Sequence, residues 1–297
     1  ARSYIVKVLI ERFLGLQVDI RFDSPKGYWI ITSAHESADS VVFPDFFFNQ
    51  EEASWLKPES LPNGVAYWES EFKFDELLPV FWPKSMLTGE EDVPFDFFGT
   101  AFILLTAYQE CVEQYNCDYH GRFPASSSLL YKAGVLHRPI VNEYLEVTWQ
   151  VLLKKFPSLK RSSRGYRLRL SHDVDRPFKY HGVSLMKSIR RLIGSVYMSK
   201  NFTSLPREIF DFIRVRRGRL ECDPNNNFSW LMNESEKRNI TSSFYFICGG
   251  THKVDASYEI SDEHIRKMMH EMSSRGHKIG VHGSYQTMCE YELFQGE

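Results

Sequence analysis

The first part of the chain alternates between two hydrophobic patterns. Residues 4–14 carry apolar side chains at helical spacing and predict a helix. Residues 18–22 alternate apolar and polar positions, which is typical of a half-buried strand, and residues 28–32 predict a second strand. Residues 24–27 form a turn signal between the two strands, so we expect a hairpin, with a third short strand at 41–43.

Two longer helical patterns follow. Pro94 suits the first turn of a helix, and the apolar spacing after it predicts one long helix over residues 94–115. Residues 142–156 predict another helix. Residues 45–91 are rich in aromatic residues and prolines and show no readable period.

The pattern changes after a polar, basic stretch at residues 157–165, where we place a domain boundary. We therefore expect an N-terminal α/β accessory domain over residues 1–160 and a second domain over residues 165–297. In the second domain, strands are predicted at 166–172, 242–248 and 278–282.

Helices are predicted between these strands at 227–239 and at 261–275, the latter with Ser261 as its N-cap. Strands that alternate with helices predict a parallel sheet or barrel, so the fold class is α/β.

The composition of the chain limits the classes of function that the protein can have. The chain of 297 residues is long enough for about two domains, and its net charge of −2 gives no reason to expect nucleic acid as a partner. Its five cysteines form no CxxC pair and are odd in number, which favours a reducing compartment and so a cytoplasmic location. The longest apolar run, at 97–108, is too short to span a bilayer.

The charge is unevenly distributed, however. Residues 181–220 hold nine Lys or Arg and only two acidic residues, a net charge of +7. This segment could contact an anionic glycan, a membrane surface or an acidic partner. The alternative is a solvated basic helical face.

Two carboxylates stand at the end of the first predicted strand of the second domain. Asp173 and Asp175 are two residues apart, so their side chains share a face of an extended strand. Carboxylates so close repel each other unless a proton or a cation lies between them, so one is a candidate metal ligand and the other a candidate base. The alternative is a pair of strand-end or capping acids, one of them neutralised by Arg176. His172 faces the opposite way and is expected to be packed or hydrogen-bonded.

A histidine stands at the end of the third predicted strand. His282 is preceded by Gly280 and followed by Gly283, and glycine there permits close approach of backbone or ligand. Asp, Asp and His at strand ends suggest a divalent-metal hydrolase. Taken alone, His282 is more simply interpreted as a histidine hydrogen-bonded to a backbone carbonyl.

These residues lie in three motifs: SHDVDRP at 171–177, SSFYFI at 242–247 and GHKIGVHGSY at 276–285. From about residue 165 onward the chain resembles the polysaccharide deacetylase superfamily, also called the NodB-homology or carbohydrate esterase 4 group. The first domain resembles the uncharacterised domain that precedes such modules in certain bacterial proteins, at residues 95–96, 118–124 and 138–141.

The resemblance implies a role for each motif residue. Asp173 matches the family's catalytic base, and Asp175 and His282 match metal ligands. The family's second metal-binding histidine falls on Gln286, and a neutral amide is a weak ligand for a transition metal. The expected cofactor is a divalent metal, with Zn²⁺ first, bound less tightly than in a complete site. Candidate substrate- or site-lining residues are His172, Ser284, Tyr285 and Gln286.

The implied reaction is hydrolysis of N-acetyl, or less often O-acetyl, groups on a poly- or oligosaccharide. The chain ends at Glu297, soon after the third strand, so we expect only the first part of a deacetylase-type (β/α) barrel, inactive as a fragment. The main alternative is a catalytically inactive deacetylase-like protein that binds glycans or acts as a scaffold, which Gln286 favours. A third hypothesis is that the first domain is a binding module for a nucleotide-sugar or a partner protein.

Overall fold

The computed structural model of the protein describes residues 1–23, 27–33, 36–69, 77–82, 89–163, 165–199, 203, 205–250, 252, 255, 258–288 and 290–297. The chain divides into two units, residues 1–164 and residues 165–297.

The first unit begins with a helix and an antiparallel sheet. Helix α1 (Arg2–Val6) continues as a π-helical segment, Lys7–Leu14, which ends at Gly15 in the left-handed region with φ 68°. Strands β1 (Asp19–Asp23), β2 (Tyr28–Ser33) and β3 (Glu36–Pro44) pair in that order, each antiparallel to the next. The predicted hairpin is confirmed, although residues 24–26 of its turn lie outside the described residues. The third strand is longer than the predicted 41–43.

The long helix predicted over residues 94–115 is wrong in its bounds and its continuity. Helix α2 (Phe97–Leu105) begins after Asp96, whose carboxylate accepts the Gly99 N–H at 2.7 Å and so caps the helix in place of Pro94. The helix then stops because Ala107 adopts the left-handed conformation with φ 54°. A separate helix, α3 (Tyr108–Val112), follows.

Residues 45–91, which had no readable period, contain short elements. They include two single 3₁₀ turns, Glu52–Ser54 and Pro58–Ser60, and an antiparallel pair of strands, β4 (Ala66–Trp68) and β5 (Leu78–Val80). Aromatic rings dominate the core that these elements share with the sheet. The fully buried ones are Phe43, Phe47, Phe95, Phe97, Phe98, Tyr144 and Phe156.

The unit closes with two helices after α3. A one-turn helix, α4 (Leu129–Lys132), precedes α5 (Ile140–Lys155), which begins two residues before the predicted start. Its buried face includes Tyr144, Thr148 and Leu152 and packs into the aromatic core.

The second unit is built on a three-stranded parallel sheet. Strands β6 (Leu170–Val174), β7 (Ser242–Ile247) and β8 (Lys278–His282) lie in that order and pair in parallel. Strand β6 begins later than the predicted 166–172 and extends to Val174. The mixture of helices and sheets agrees with the expected α/β class.

Helices α8 (Phe228–Glu236) and α9 (Glu263–Ser274) cover one face of this sheet. Their buried side chains pack with Val174 and with alternate residues of β7; the contributing residues are Phe228, Met232, Ile265, Met268, Met272, Phe244 and Phe246. The prediction that Ser261 caps α9 is wrong. Asp262 is the N-cap, because its carboxylate accepts the His264 N–H at 2.8 Å.

The basic segment forms two helices, α6 (Leu185–Ser199) and α7 (Leu205–Arg216), with a 3₁₀ turn at Leu220–Cys222. A short helix, α10 (Tyr291–Gly296), lies at the end of the chain.

Among the described residues, no helix combines the length and apolar character needed to cross a membrane. Cys111, Cys117, Cys222 and Cys248 carry free thiols.

Candidate functional site

The three residues of the predicted site meet at one edge of the parallel sheet. Asp173 lies near the carboxyl end of β6, Asp175 follows that strand, and His282 is the last residue of β8. Strand β7 lies between them, and the carboxyl ends of parallel strands point to the same edge. The chain topology therefore brings together residues that are more than a hundred positions apart.

The His282 ring points at both carboxylates. Its Nε2 atom lies 3.6 Å from Asp173 Oδ2 and 3.9 Å from Asp175 Oδ1. Its Nδ1 atom lies 2.9 Å from the Gly283 carbonyl oxygen, which can only accept a hydrogen bond, so Nδ1 carries a proton. In the neutral ring, Nε2 therefore presents its lone pair to the carboxylates, which is the tautomer that a metal requires.

The residue types in this group suit a divalent cation, although their three ligand atoms do not all lie within 4.8 Å of one another. Two carboxylates and one imidazole are ligands that Zn²⁺ accepts, and the Nδ1–H bond to a backbone carbonyl orients the ring as in many metal sites. The Asp173 and Asp175 side chains are 61% and 63% exposed and His282 is 34% exposed, so the site is open to solvent. Because water and salt screen exposed charges, an ion pair between protonated His282 and these carboxylates would be weak if no metal ion were bound.

His172 lies away from this group. Its ring stacks on Phe244 with centroids 4.9 Å apart, on the face of the sheet that α8 and α9 cover. Burial, followed by the nearby His277, lowers the pKa of His172. Its Nε2 atom is buried with no hydrogen-bond partner among the described residues. The packing of this ring, and not the candidate site, accounts for its position.

The other predicted lining residues lie just beyond His282. Ser284 is buried, and its N–H donates to Glu297 Oε2 at 3.1 Å. The Tyr285 N–H donates to Asp255 Oδ1 at 2.8 Å, and its ring stacks on His252 with centroids 4.2 Å apart. Gln286 is exposed on the 3₁₀ helix Tyr285–Met288.

Sequence reasoning did not identify the residue that joins the strand ends beneath this site. The Tyr258 hydroxyl accepts the Ile247 N–H at 2.8 Å and donates to the Val174 carbonyl oxygen at 2.8 Å. It thus joins the end of β7 to the residue that precedes Asp175. Burial raises the pKa of Tyr258, which keeps the hydroxyl protonated as this donor requires. No periodicity or motif marks Tyr258 in the sequence.

The motif residues of the first unit have structural partners. Asp118 accepts the N–H groups of His120 and Arg122, at 2.9 and 3.0 Å, and pairs with the Arg122 side chain. Arg138 pairs with Glu143 at 2.6 Å. These residues hold turns and helix starts together, and their contacts do not define a binding site.

Comparison with known proteins places the first unit in a family. The model of a family of unknown function, DUF7033, matches residues 1–157, and the chain belongs to this family. No curated protein and no solved structure matches the chain. The family thus covers the first unit and carries no assigned activity, while the candidate site lies in the second.

Proposed function

We propose that the protein is a metal-dependent hydrolase that removes N-acetyl, or less often O-acetyl, groups from a poly- or oligosaccharide. The observation that carries this proposal is the convergence of His282 Nε2 on the carboxylates of Asp173 and Asp175, at 3.6 and 3.9 Å. The likeness of the three motifs to the polysaccharide deacetylases supplies the reaction class.

The resemblance to the deacetylases assigns a role to each of these residues. Asp175 and His282 would hold the cation, with the His282 ring oriented by the Gly283 carbonyl. A divalent metal supplies Lewis-acid polarisation of the acyl carbonyl. Asp173, which matches the base of the deacetylases, would accept the proton of the attacking water; its carboxylate lies 3.6 Å from His282 Nε2.

The proposal includes the architecture of the second unit. We take β6, β7 and β8, with α8 and α9 on one face, as the opening part of a deacetylase-type (β/α) barrel. Strand β8 supports this reading because Ile279 and Val281 are 37% and 45% exposed, as expected of a strand that a further element covers. The free thiols support a reducing, cytoplasmic location for the protein.

The test is acetate release from N-acetylated oligosaccharides by the full-length protein supplied with Zn²⁺. Asp173→Asn should reduce the rate by about 10² to 10⁴-fold, the usual contribution of a general base, and leave bound metal unchanged. Asp175→Asn and His282→Ala should reduce both the rate and the metal held at this site. A wild-type rate that Asp173→Asn leaves intact would refute the assignment of the base.

The alternative is a deacetylase-like protein that binds glycans without hydrolysing them. Gln286 favours it, since an exposed neutral amide stands where the resemblance calls for a second imidazole. Gln286→His should raise Zn²⁺ occupancy if this position faces the cation. Glycan binding without acetate release, in wild type and in Gln286→His alike, would favour the alternative.

A further inference from the structure

A second cluster of metal-binding side chains lies where the loop after β6 meets the start of α9. His181 belongs to the loop, Asp262 is the N-cap of α9, and His264 lies in the first turn of that helix. One ligand atom from each residue lies within 4.8 Å of the other two. Within the described ranges, no other three His, Cys, Asp or Glu side chains meet this condition.

The spacing in this cluster is that of a metal site. His181 Nε2 lies 3.4 Å from Asp262 Oδ2, and His264 Nδ1 lies 3.3 Å from Asp262 Oδ1. In a tetrahedral zinc site with bonds of about 2.0–2.1 Å, neighbouring ligand atoms are about 3.3–3.4 Å apart. The two imidazoles approach different oxygens of the Asp262 carboxylate, and each separation is close to that of neighbouring ligands on one zinc ion.

Helix capping explains only part of this arrangement. The cap uses one oxygen of Asp262, which accepts the His264 N–H at 2.8 Å. Capping does not require that two imidazoles contact the same carboxylate. The His181 and His264 rings do so, with their centroids 4.5 Å apart. Direct charge-assisted hydrogen bonds would be shorter, at about 2.7–2.9 Å, than the two distances observed. His181 and Asp262 thus make a long hydrogen bond at 3.4 Å, and His264 Nδ1 lies 3.3 Å from the same carboxylate; both separations leave room for a shared cation.

The cluster is also accessible. His181 and Asp262 line a cavity of about 220 Å³, together with Arg176, Phe178 and Glu259. The side chains of His181, Asp262 and His264 are all partly exposed. Because two of the three candidate ligands face this cavity, a cation held by them would keep a coordination position for water or another small ligand.

We propose that His181, Asp262 and His264 bind a divalent transition-metal ion of the Zn²⁺ type. This site shares no residue with Asp173, Asp175 and His282, and it stands whether or not the proposed deacetylase activity is found. The bound ion joins the loop after β6 to the first turn of α9.

The experiment isolates this cluster from the first site. In a protein carrying Asp175→Asn and His282→Ala, titration with Zn²⁺ by calorimetry and with Co²⁺ by visible absorption should show one ion bound per chain. Adding His181→Gln or His264→Gln should weaken binding at least tenfold and remove the Co²⁺ absorption. Asp262→Asn should also weaken metal binding, while the amide oxygen of the new side chain still caps α9.

His270→Gln is the matched control, because His270 is exposed on the same helix and lies outside the cluster. It should leave Zn²⁺ affinity unchanged. A thermal melt of each variant, with and without Zn²⁺, checks folding: Zn²⁺ should raise the Tm of His270→Gln and not that of His181→Gln.

Two results would overturn the proposal. One is a folded Asp175→Asn, His282→Ala protein that binds no ion. The other is unchanged affinity and stoichiometry after His181→Gln and His264→Gln. If the doubly substituted background fails to fold, the same histidine substitutions in the wild-type chain must lower the number of bound ions by one.

Discussion

The Tyr258 hydroxyl donates a hydrogen bond to the Val174 carbonyl oxygen, 2.8 Å away, while it accepts one from the Ile247 N–H. A side chain from the loop before α9 thereby joins the carboxyl ends of two neighbouring strands. Asp175, a proposed metal ligand, is attached directly to the residue that Tyr258 holds. The position of the candidate site therefore depends on a residue outside the three motifs.

Tyr258→Phe removes both hydrogen bonds and leaves a buried carbonyl and N–H without their partner. We expect the second unit to lose about 1–3 kcal/mol of unfolding free energy. Metal affinity at Asp175 and His282 should also fall, because the end of β6 is less well held. Urea denaturation and Zn²⁺ titration measure the two effects. Tyr291→Phe, at an exposed position in the same unit, should change neither.

Gly280 permits the close approach of the Tyr245 ring on the neighbouring strand. A Cβ at position 280 would lie 2.6 Å from Tyr245 Cδ1 and Cε1, so the ring would have to move. Gly280→Ala should destabilise the second unit by about 1–3 kcal/mol, as overpacking does.

Gly194→Ala is a control for Gly280→Ala, and we expect it to change stability in the opposite direction. Gly194 lies within α6 with nothing within 4 Å of an added Cβ, so alanine should stabilise the helix by about 1 kcal/mol. Chemical denaturation of both variants compares them directly. Equal effects of the two substitutions would show that the Tyr245 contact does not constrain position 280.

Asp96 makes the first unit sensitive to pH. Its buried carboxylate accepts the N–H groups of Phe46, Phe47 and Gly99 at 2.9, 2.8 and 2.7 Å. Burial and the charge of Asp45 nevertheless raise the pKa of Asp96 to about 7, while burial raises the pKa of Asp45 to about 6. The folded state therefore holds protons that the unfolded chain releases near pH 4.

Because the folded-state pKa values are raised, this contribution to stability is complete below about pH 4 and is lost as the pH rises through 6 and 7. We expect the unfolding free energy of the first unit to fall by on the order of 2 kcal/mol between pH 5 and 8. Tryptophan fluorescence in urea reports mainly on this unit, since five of the six tryptophans lie in it. Asp96→Asn should flatten the pH dependence, whereas Asp19→Asn, on an exposed strand, should preserve it.

The basic segment at 181–220 is expected to bind an anionic membrane surface. Helix α6 exposes apolar side chains at helical spacing, namely Leu185, Met186, Ile189, Ile193 and Tyr197. Exposed basic side chains accompany them on the two helices and after α7. An exposed apolar stripe with basic neighbours is the pattern of an interfacial helix.

Replacing Lys187, Arg190, Arg217 and Arg219 with Ser should abolish sedimentation with vesicles that contain anionic lipid. Wild-type binding should weaken as salt rises from 0.05 to 0.5 M, a range of about 14 to 4 Å in Debye length. Arg216 is left unchanged, because it donates to the Val183 carbonyl at 2.6 Å and supports the fold. Wild-type protein that stays in the supernatant at low salt would support a solvated basic face.

Local patterns in the sequence were sufficient for several elements. The hairpin of β1 and β2 and the strand at 278–282 follow from side-chain alternation and glycine positions, which act within a few residues. The continuous helix over 94–115 failed because a buried carboxylate and a left-handed Ala107 decide where that helix begins and breaks. The Asp96 carboxylate depends on distant contacts, since it also accepts the N–H groups of Phe46 and Phe47.

The sequence alone determined which residues stand at strand ends, and so it indicated Asp173, Asp175 and His282 as a set. Only the tertiary structure decided that His282 Nε2 faces both carboxylates, because parallel pairing through β7 brings the ends of β6 and β8 to one edge of the sheet. It also revealed the link from Tyr258 to Val174 and the cluster of His181, Asp262 and His264. The contacts of Tyr258 and His181 join segments about eighty residues apart, and that of His282 with Asp173 joins segments more than a hundred apart. Side-chain periodicity acts over a few residues and cannot indicate such contacts.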